Sequence, residues 1–449
     1  MRDSAPTRVL DQTPWLLDPA LGTCVVGSVA LAEACRRAGI ESPQSQDLDL
    51  AWALDPEAGT EVLREHGVWM PSTPANLDRG TLAFKIGRQR IEITTFRGTN
   101  PSTPIEERIL ADLGARDMTI GALAWRLSDD HIFDPSGGLD HWRERRIVPV
   151  GHPMDRINEH PVRWLRYYRR THQWQFALDA SIEHLASDAE ILQQILPEAL
   201  AGEFRAALLD LPSPGKFFMQ LHERGLLLAI APELDPMFDG RPAGPERYHP
   251  EISQAQHMIL ALEWIAANAR DLPVGDRLTA TLCVLCHDLG KGLTPADEFP
   301  SHRGHEGAGR PLVKSMLDRL PGLADAQTRR MAEVVCELHL TARRLAELRP
   351  GTLARLYDRF FRQKWFRADL FALALGADVA GRLGREPEGV PTAQGIEEGI
   401  LKLCNICGDV DARALKEKAG DDLGRFRDML HEARARAVAS AFSAPSSDG

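Results

Sequence analysis

Histidine and aspartate residues that lie far apart in the sequence recur through the second half of this chain and constrain its fold most strongly. They are His257, the adjacent pair His287-Asp288, His302, His305, His339 and Asp378. Imidazole and carboxylate groups together suit a divalent transition metal or Mg²⁺. A single histidine on a helix is more often a surface residue or a satisfied buried one than a ligand, but the joint pattern is hard to assign to chance. We therefore predict a metal centre in this half.

The pair His287-Asp288 is followed at once by Gly290 and Gly292. Adjacent side chains on a regular helix point in different directions, so both can face one site only where the helix ends or is distorted. The glycines predict such an end. A histidine from an earlier helix and a carboxylate from a later one would then close the site in a bundle of helices. A metal held there would activate a water molecule and neutralise a phosphate.

The secondary-structure signals change along the chain. Residues 1–130 mix strand-like segments (TCVVGS, LDLAWAL, TLAFKIG and QRIEITTF) with helical ones (VALAEACRRAG and ERILADLGA). After the turn-rich segment DPSGGLD (134–140) the strand signals vanish, and from about residue 161 helix follows helix. The sequence thus predicts an α+β head followed by an all-α body.

Composition excludes several classes of protein. No segment is long and apolar enough to span a membrane, and the N-terminus carries no secretory signal. Seven cysteines without a disulfide-like framework favour a reducing cytoplasm, and Cys283 and Cys286 are interpreted as core residues. A net charge of −11 argues against indiscriminate coating of nucleic acid. Eight arginines and only three acids between Arg143 and Arg170 nevertheless suggest one anion-binding surface, with a solvated helical face as the alternative.

The head carries its own candidate metal ligands. Residues two apart in a strand face the same side, so Asp47 and Asp49 would present adjacent carboxylates that could hold a pair of Mg²⁺ ions. Two such ions would bind a triphosphate and activate an attacking hydroxyl. The preceding turn at Gly27-Ser28 can offer backbone amides and a hydroxyl to phosphates. Glu92 could add a third carboxylate, although an exposed strand position explains it equally well.

The second half resembles the HD superfamily of phosphohydrolases. The segments YHPEISQAQH (248–257), LCHDLGKGLTP (285–295), ELH (337–339) and ADVAGR (377–382) are similar to the HD domain attached to bacterial tRNA nucleotidyltransferases, the CCA-adding enzymes. This resemblance implies a metal-dependent 2′,3′-cyclic phosphodiesterase and phosphatase. It also implies that the ligands are His257, His287, Asp288 and Asp378, that His305 and His339 complete the site, and that Lys291 contacts phosphate.

The head resembles the polymerase-β-type fold of the class II tRNA nucleotidyltransferase and poly(A) polymerase family. ARDMTIGA (115–122) is similar to that family's RRDLTINA, DPSGGLD to its DPxxG turn, and EHPVRWLR (159–166) to its EDPxRxLR. The resemblance implies that Asp47 and Asp49 are catalytic. The nucleotide-binding residues that it implies are Gly27, Ser28, Arg116, Asp117, Glu159, His160, Arg163 and Arg166.

The chain departs from that family at positions that bind nucleotide. The arginine and aspartate of its GGxVRD motif are Leu31 and Ala32, so a bidentate phosphate contact is lost. The aspartate that reads the base edge beside Arg163 is His160, which offers one acceptor and one donor when neutral. The asparagine of RRDLTINA is Gly121, and its first arginine is Ala115.

The resemblance implies four parts: a nucleotidyltransferase head (1–145), a helical neck and body (146–245), an HD domain (246–390) and a helical tail (391–449). It implies transfer of CTP- and ATP-derived nucleotides to the 3′ end of tRNA or another RNA, coupled to HD-domain hydrolysis, in the cytoplasm. Two alternatives stay open. One is a divergent paralogue with another nucleotide or RNA acceptor; the other is an HD phosphohydrolase whose head only binds RNA.

Overall fold

The computed structural model describes residues 9, 11–43, 48–87, 89–98, 100, 102–382 and 392–443. The chain divides into two compact units, Met1–Ala186 and Ser187–Gly449. The head predicted at 1–145 falls within the first unit, whereas the neck and body predicted at 146–245 is divided between the two. The other predicted boundaries, at 245 and 390, lie inside the second unit and stay predictions.

A sheet of seven strands forms the first unit. In chain order they are β1 (Cys24–Val26), β2 (Asp49–Trp52), β3 (Trp69–Met70), β4 (Thr81–Ile86), β5 (Gln89–Thr95), β6 (Ala124–Arg126) and β7 (His131–Phe133). Their order in the sheet is β3-β4-β5-β2-β1-β6-β7, with β2 and β5 parallel and the other pairs antiparallel. The strands predicted at β1, β2, β4 and β5 are confirmed, while the sequence missed the short strands β3, β6 and β7.

Eight helices accompany this sheet in the described part of the first unit. They are α1 (Ser28–Ala38), α2 (Pro56–Glu65), α3 (Pro74–Asp78), α4 (Ile105–Gly114), α5 (Gly138–Arg143), α6 (Pro153–Glu159), α7 (Arg163–Trp174) and α8 (Ala180–Glu183). Both helices predicted in the head, α1 and α4, are present. Apolar clusters cover both faces of the sheet: Val25 and Trp52 pack in one, and Cys24 and Ala51 in the other. The central strands are therefore fixed on both sides, which positions the residues at their ends.

The prediction that strands are absent after residue 140 is wrong at two places. β8 (Arg146–Ile147) and β9 (Ala177–Leu178) pair in parallel as a separate two-stranded sheet. Each strand has only two residues, so neither can show the alternation of apolar and polar residues by which a strand is recognised in a sequence. The helix α7 is capped at its carboxyl end by Gln175, whose φ of 55° turns the chain before β9 pairs with β8.

The second unit is helical, as predicted. Its helices are α9 (Ala189–Gln193), α10 (Pro197–Asp210), α11 (Pro214–Glu223), α12 (Leu227–Ile230), α13 (Gln254–Asn268), α14 (Val274–Cys286), α15 (His305–Arg319), α16 (Ala326–Ala342), α17 (Pro350–Leu356), α18 (Ala368–Ala380), α19 (Ala393–Gly408), α20 (Ala412–Ala419) and α21 (Leu423–Ser443). Proline opens α10, α11 and α17, where its missing N–H has no partner to lose. None of the described helices combines the length and apolar character needed to cross a bilayer.

Helix α14 lies at the centre of the second unit. Every residue from Leu278 to Cys286 is buried, and the helix packs against α10, α13, α16 and α18. An apolar stretch that is buried on all sides is typical of a central helix. The interpretation of Cys283 and Cys286 as core residues is confirmed, since both are fully buried. The carboxyl end of α14 is thus held in the interior of the unit, and the next residue is His287.

Candidate metal centre and nucleotide site

Helix α14 ends at Cys286, immediately before the pair His287-Asp288. His287 is its C-cap, and Asp288 is the N-cap of a 3₁₀-helix, Leu289–Leu293. The change of helix type at this point frees the two adjacent side chains from the regular helical spacing. The predicted helix end is therefore confirmed, and both side chains are at least 98% buried.

Gly290 allows the 3₁₀-helix to approach α15 closely. A Cβ atom at Gly290 would lie 1.9 Å from the carbonyl oxygen of His305 and 2.6 Å from the amide nitrogen of Gly309. Such distances are far inside van der Waals contact, so only glycine fits here. His305, the first residue of α15, is thereby brought next to Asp288.

Four histidine rings in this cluster share one tautomer. The Nδ1 atoms of three of them lie next to carbonyl oxygens three residues back: His287 to Val284 at 2.6 Å, His305 to His302 at 2.7 Å and His339 to Cys336 at 3.0 Å. His257 Nδ1 lies 3.2 Å from the carbonyl oxygen of Gly381. Because a carbonyl oxygen only accepts hydrogen bonds, each Nδ1 carries a proton, and each ring in its neutral form keeps its lone pair on Nε2.

The Nε2 atoms meet in pairs. Those of His257 and His287 are 3.2 Å apart, and those of His305 and His339 are 3.3 Å apart. All four rings are at least 94% buried. Two nitrogen lone pairs that face each other away from water repel unless a proton or a cation lies between them. The arrangement therefore favours a bound cation.

Two carboxylates complete the cluster. His257, His287 and Asp378 form one group of donors, and Asp288, His305 and His339 form a second; within each group the donor atoms lie within 4.8 Å of one another. Asp288 joins the groups, because its Oδ2 is 3.1 Å from His287 Nε2 and its Oδ1 is 3.2 Å from His305 Nε2. All six residues that the family resemblance implies for the metal centre of this half are thus brought together.

Donor chemistry tests whether a metal fits this cluster. Four imidazole nitrogens with two carboxylates match divalent transition ions better than Mg²⁺, which prefers oxygen ligands. Burial raises the pKa of Asp288 and Asp378, but the charge of Lys291 beside the former and of Arg343 beside the latter helps to outweigh burial, and both pKa values lie well below the usual range. Both groups are therefore ionised and able to ligate.

Lys291 lies against Asp288 in the interior, with only 4% of its surface exposed. Its Nζ is 2.7 Å from Asp288 Oδ2 and donates to the carbonyl oxygen of Ala243 at 2.7 Å and to Gln254 Oε1 at 2.9 Å. Gln254 in turn donates from Nε2 to Asp288 Oδ2 at 3.0 Å. All three protons of the ammonium are used in this arrangement, so Lys291 orients and neutralises Asp288 and offers no proton to a phosphate.

In the first unit, Asp49 opens β2 beside the Gly27-Ser28 turn. Asp49 is paired with Val26 of β1 and with Glu92 of β5, so the two acidic side chains lie on the same face of adjacent strands. A Cβ atom at Gly27 would lie 3.8 Å from Asp49 Oδ2, and Gly27, with φ 70°, is the N-cap of α1. Asp47 lies outside the described residues. The helix end attracts phosphate while the carboxylates repel it, which suits a site where a cation lies between them.

The predicted residues Arg116 and Asp117 are held by ion pairs. Arg116 donates to Asp112 Oδ2 at 2.9 Å, and Arg97 donates to the other oxygen of the same carboxylate at 2.9 Å. Asp117 accepts from Arg166 Nη1 at 2.9 Å. The sequence analysis did not predict a role for Arg97 or Asp112. Asp112 lies in a segment predicted as a helix, and Arg97 directly follows a segment predicted as a strand. This part of the head presents several guanidinium groups in fixed positions, as binding of a triphosphate requires.

Arg163 is enclosed. It donates to Glu159 Oε2 at 2.6 Å and to the carbonyl oxygen of Ala115 at 2.9 Å, and only 5% of its surface is exposed. His160, by contrast, is exposed at the end of α6. Partial burial and the neighbouring Arg163 lower its pKa, so the ring is neutral at pH 7. The structure therefore leaves His160, more than Arg163, accessible to a base.

Two models of known families match the chain. The poly A polymerase head domain matches residues 36–148, and the HD domain matches residues 255–361. Both resemblances drawn from the sequence are thus confirmed.

Curated relatives extend the match. The multifunctional CCA protein of Alkalilimnicola ehrlichii is 36% identical over 368 residues, covering 78% of this chain and 83% of the relative. That of Burkholderia pseudomallei is 34% identical over 342 residues, covering 74% and 78%.

Solved structures share the fold. The CCA-adding enzyme of Bacillus stearothermophilus in complex with CTP has a TM-score of 0.64 at 20% identity, covering 98% of this chain and 94% of that one. A tRNA nucleotidyltransferase complexed with a primer tRNA and an incoming ATP analogue has a TM-score of 0.51 at 18% identity, covering 89% and 98%. At these identities the likeness establishes the fold alone.

Proposed function

Since the chain belongs to the family of multifunctional CCA proteins, we propose that its first unit adds nucleotides from CTP and ATP to the 3′ end of tRNA and that its second unit hydrolyses phosphate esters at a divalent-metal centre. The observation that carries the proposal is the convergence of opposed histidine lone pairs and two ionised carboxylates in the second unit. Asp49 beside the amino end of α1 supports the transferase half.

In the transferase half, Asp49 and Asp47 would hold Mg²⁺, which when bound neutralises the triphosphate and lowers the pKa of the attacking hydroxyl. The 3′ hydroxyl of the RNA loses its proton to water, its oxygen forms a bond to the α-phosphorus, the bond from that phosphorus to the bridging oxygen breaks, and pyrophosphate leaves. The backbone amides at Gly27 and Ser28 fit the phosphates. Arg116 lies in the segment ARDMTIGA and pairs with Asp112, and Arg166 pairs with Asp117 of that segment. Both arginines therefore supply positive charge in fixed positions.

In the hydrolase half, His257, His287, Asp288, His305, His339 and Asp378 would hold the metal, which when bound supplies a nucleophilic hydroxide at neutral pH. The substrate that the family resemblance favours is a 2′,3′-cyclic phosphate or a phosphate at an RNA end. Arg343, which pairs with Asp378 at 3.1 Å, and Arg382 are the cations next to the carboxylate. They are better placed than Lys291 to balance the charge of a phosphate.

A second candidate function follows from Arg163. In the related family this arginine reads the base edge, but here its guanidinium is committed to Glu159 and to backbone carbonyls. A divergent transferase with a different nucleotide choice would explain that arrangement together with His160. This alternative keeps the metal centre and the transfer chemistry, and it changes only which nucleotides are added.

The transferase proposal is tested by incubating the purified protein with tRNA that lacks its 3′ CCA, Mg²⁺ and each labelled NTP in turn. We expect ordered incorporation of C, C and A, and at least a 100-fold loss in Asp49→Ala, as for removal of a group that stabilises the transition state. Incorporation of other nucleotides by the wild-type protein would favour the divergent transferase. Absence of any incorporation would leave a head that only binds RNA.

The hydrolase proposal is tested on the same preparations with a 2′,3′-cyclic nucleotide and with an RNA that ends in a cyclic phosphate. We expect metal-dependent hydrolysis that His287→Ala abolishes and that Asp49→Ala retains. Hydrolysis that persists in His287→Ala would place the activity elsewhere.

A further inference from the structure

We infer that Glu251 is a positioning residue of the metal centre, which fixes the orientation and tautomer of His257 through the proton on its Nδ1. The inference rests on the proposed metal-dependent function of the second unit. Glu251 belongs to neither group of donors described above, and the sequence motifs did not single it out. It lies in the segment between residue 248 and helix α13.

The carboxylate of Glu251 is buried between two imidazole rings. Its Oε1 lies 2.7 Å from His249 Nδ1 and 3.3 Å from His257 Nδ1, and only 5% of the residue is exposed. Its other oxygen, Oε2, is buried and has no hydrogen-bond partner in the part of the chain that the structure describes. Burying a carboxylate in this way costs free energy unless the groups beside it pair with its charge. Its placement against His257 therefore points to a role at that ring.

Among the four ligand histidines, His257 has the closest carboxylate on its Nδ1; the next, Glu306 Oε2, is 3.7 Å from His305 Nδ1, beyond hydrogen-bond distance. The Nδ1 protons of His287, His305 and His339 are donated to neutral backbone carbonyls three residues back. His257 Nδ1 lies between the carbonyl oxygen of Gly381 and a carboxylate. A carboxylate on the far nitrogen of a ligating imidazole holds the ring and makes the other nitrogen a stronger donor. The donor group of His257, His287 and Asp378 is thus the one that Glu251 strengthens.

The backbone that carries Glu251 is held in an unusual conformation. Ile252, the next residue, has φ +68° although it is β-branched and its side chain is 66% exposed. A β-branched residue at positive φ is a genuine outlier, and it persists only where the surrounding structure imposes it. Here the amide of Ala243 donates to Ile252 O at 2.9 Å, and Ile252 N donates to His249 O at 3.0 Å. The side chain of Ile252 is exposed, whereas that of its neighbour Glu251 is buried against His249 and His257, so this conformation accompanies the inward placement of the carboxylate.

The turn also connects Glu251 directly to the ligand helix. Ser253 caps α13 by accepting from Gln256 N at 3.2 Å, and His257 N donates to Ser253 O at 3.1 Å. The carboxylate and the ligand ring are thus joined both through the first turn of α13 and across space. Any shift of the turn would move both groups.

An alternative interpretation is that Glu251, His249 and His257 form a separate metal site, since their donor atoms lie within 4.8 Å of one another. This interpretation requires a lone pair on His257 Nδ1. The carbonyl oxygen of Gly381, 3.2 Å from the same atom, requires a proton there instead. The distance of 2.7 Å between Glu251 and His249 is that of a charge-assisted hydrogen bond. Geometry therefore favours a positioning role, and metal stoichiometry distinguishes the two.

The test uses full-length, metal-free protein titrated with Co²⁺ alone, followed by its visible absorption and by competition with a chelator. We expect Glu251→Gln to bind Co²⁺ 10- to 100-fold more weakly than the wild-type protein, as for loss of other partners of ligating histidines, and to shift the absorption band. The matched control is Glu246→Gln, a change at an exposed glutamate five residues before Glu251, and it should match the wild type. Glu251→Asp, which keeps the charge, should recover part of the affinity.

Thermal unfolding of the metal-free variants shows whether they fold. If Glu251→Gln unfolds at a lower temperature than the wild type, the Co²⁺ affinities of Glu251→Asp and Glu251→Gln are compared at a temperature where both variants are folded. An unchanged affinity and absorption band in folded Glu251→Gln would overturn the inference. Loss of one whole equivalent of Co²⁺ at unchanged affinity would overturn it in favour of a separate site. Failure of the wild-type protein to bind Co²⁺ would instead overturn the proposed hydrolase function itself.

Discussion

At the scale of single residues, His160 stands where the related transferases carry a base-reading aspartate. The ring is neutral at pH 7 because partial burial and Arg163 lower its pKa. A neutral imidazole can accept a hydrogen bond from an exocyclic amine on one nitrogen only, and only in one tautomer. A carboxylate accepts without that choice, so the histidine weakens the distinction between the bases with a 4-amino or 6-amino group, cytosine and adenine, and the others.

His160→Asp should therefore raise the preference for CTP and ATP over UTP and GTP roughly 10-fold, the scale of one hydrogen bond to a charged group. The measurement is the relative incorporation of the four labelled NTPs into tRNA lacking CCA. His184→Asp, which introduces the same charge at another exposed histidine of the first unit, should leave the preference unchanged. Equal use of all four nucleotides before and after the change at His160 would show that this residue does not face the base.

Asp112 holds two of the guanidinium groups of the head. Burial raises its pKa, but Arg116 and Arg97 outweigh burial and lower it below the ordinary carboxyl value. A carboxyl group whose folded pKa is depressed contributes stability that is present above its unfolded pKa and is lost as the pH falls through the folded value. Its contribution is therefore full at pH 7 and declines below about pH 4.

Asp112→Asn should lower the free energy of unfolding by about 1–3 kcal/mol at pH 7. This range allows for solvent screening of the ion pair with Arg97, which is partly exposed. Urea unfolding at pH 7 and at pH 3 measures this, and the difference from the wild type should shrink at the lower pH. Asp129→Asn removes an exposed partner of Arg126 and serves as the control, with little change expected. A difference of the same size at both pH values would mean that Asp112 acts through packing and not through charge.

At the scale of elements, the metal centre depends on how closely the 3₁₀-helix Leu289–Leu293 approaches α15. Gly290→Ala would set a Cβ atom 1.9 Å from His305 O, so one of the two segments must move. We expect this variant to be less stable and to lose most of its bound metal, because Asp288 and His305 are separated. Thermal unfolding and metal content after dialysis measure the two effects.

Gly307→Ala is the matched control within α15. A Cβ atom at Gly307 meets nothing within 4 Å, and alanine is the better helix former by about 1 kcal/mol. This variant should keep its metal and be as stable as the wild type or more so. Equal metal content in both alanine variants would show that the centre tolerates separation of the two segments.

The helices and strands also show how much of the structure could be predicted from the sequence. The end of α14 at His287-Asp288 was predictable because two glycines follow it. Strand β5 was predictable because its apolar residues alternate, and β4 because it is a short apolar run between turn residues. Strands β6 and β7, at three residues each, give no such signal and form because they pair with β1 and with each other. Glu251 was not predictable, since it lies in a turn next to Ile252, whose positive φ is not signalled by a β-branched residue.

At the scale of the whole molecule, two compact units carry two different sets of donors. The candidate ligands of the first unit are carboxylates, whereas four of the six in the second are imidazoles. Oxygen ligands suit Mg²⁺, and nitrogen-rich sets bind transition ions more tightly. The proposed pair of activities should therefore depend on different metals in the same solution, although both act on phosphate.

A chelator that binds transition ions but hardly binds Mg²⁺, such as 1,10-phenanthroline, should separate the activities of the intact protein. In excess Mg²⁺ we expect it to reduce hydrolysis of a 2′,3′-cyclic nucleotide at least 10-fold while incorporation of nucleotides into tRNA continues, because only the imidazole cluster loses its ion. Addition of Ni²⁺ or Mn²⁺ in excess of the chelator should restore hydrolysis. Full hydrolysis in the presence of the chelator and Mg²⁺ would mean that the imidazole cluster works with Mg²⁺. Loss of both activities together would mean that nucleotide transfer also depends on a transition ion, and the assignment of Mg²⁺ to Asp49 would then be wrong.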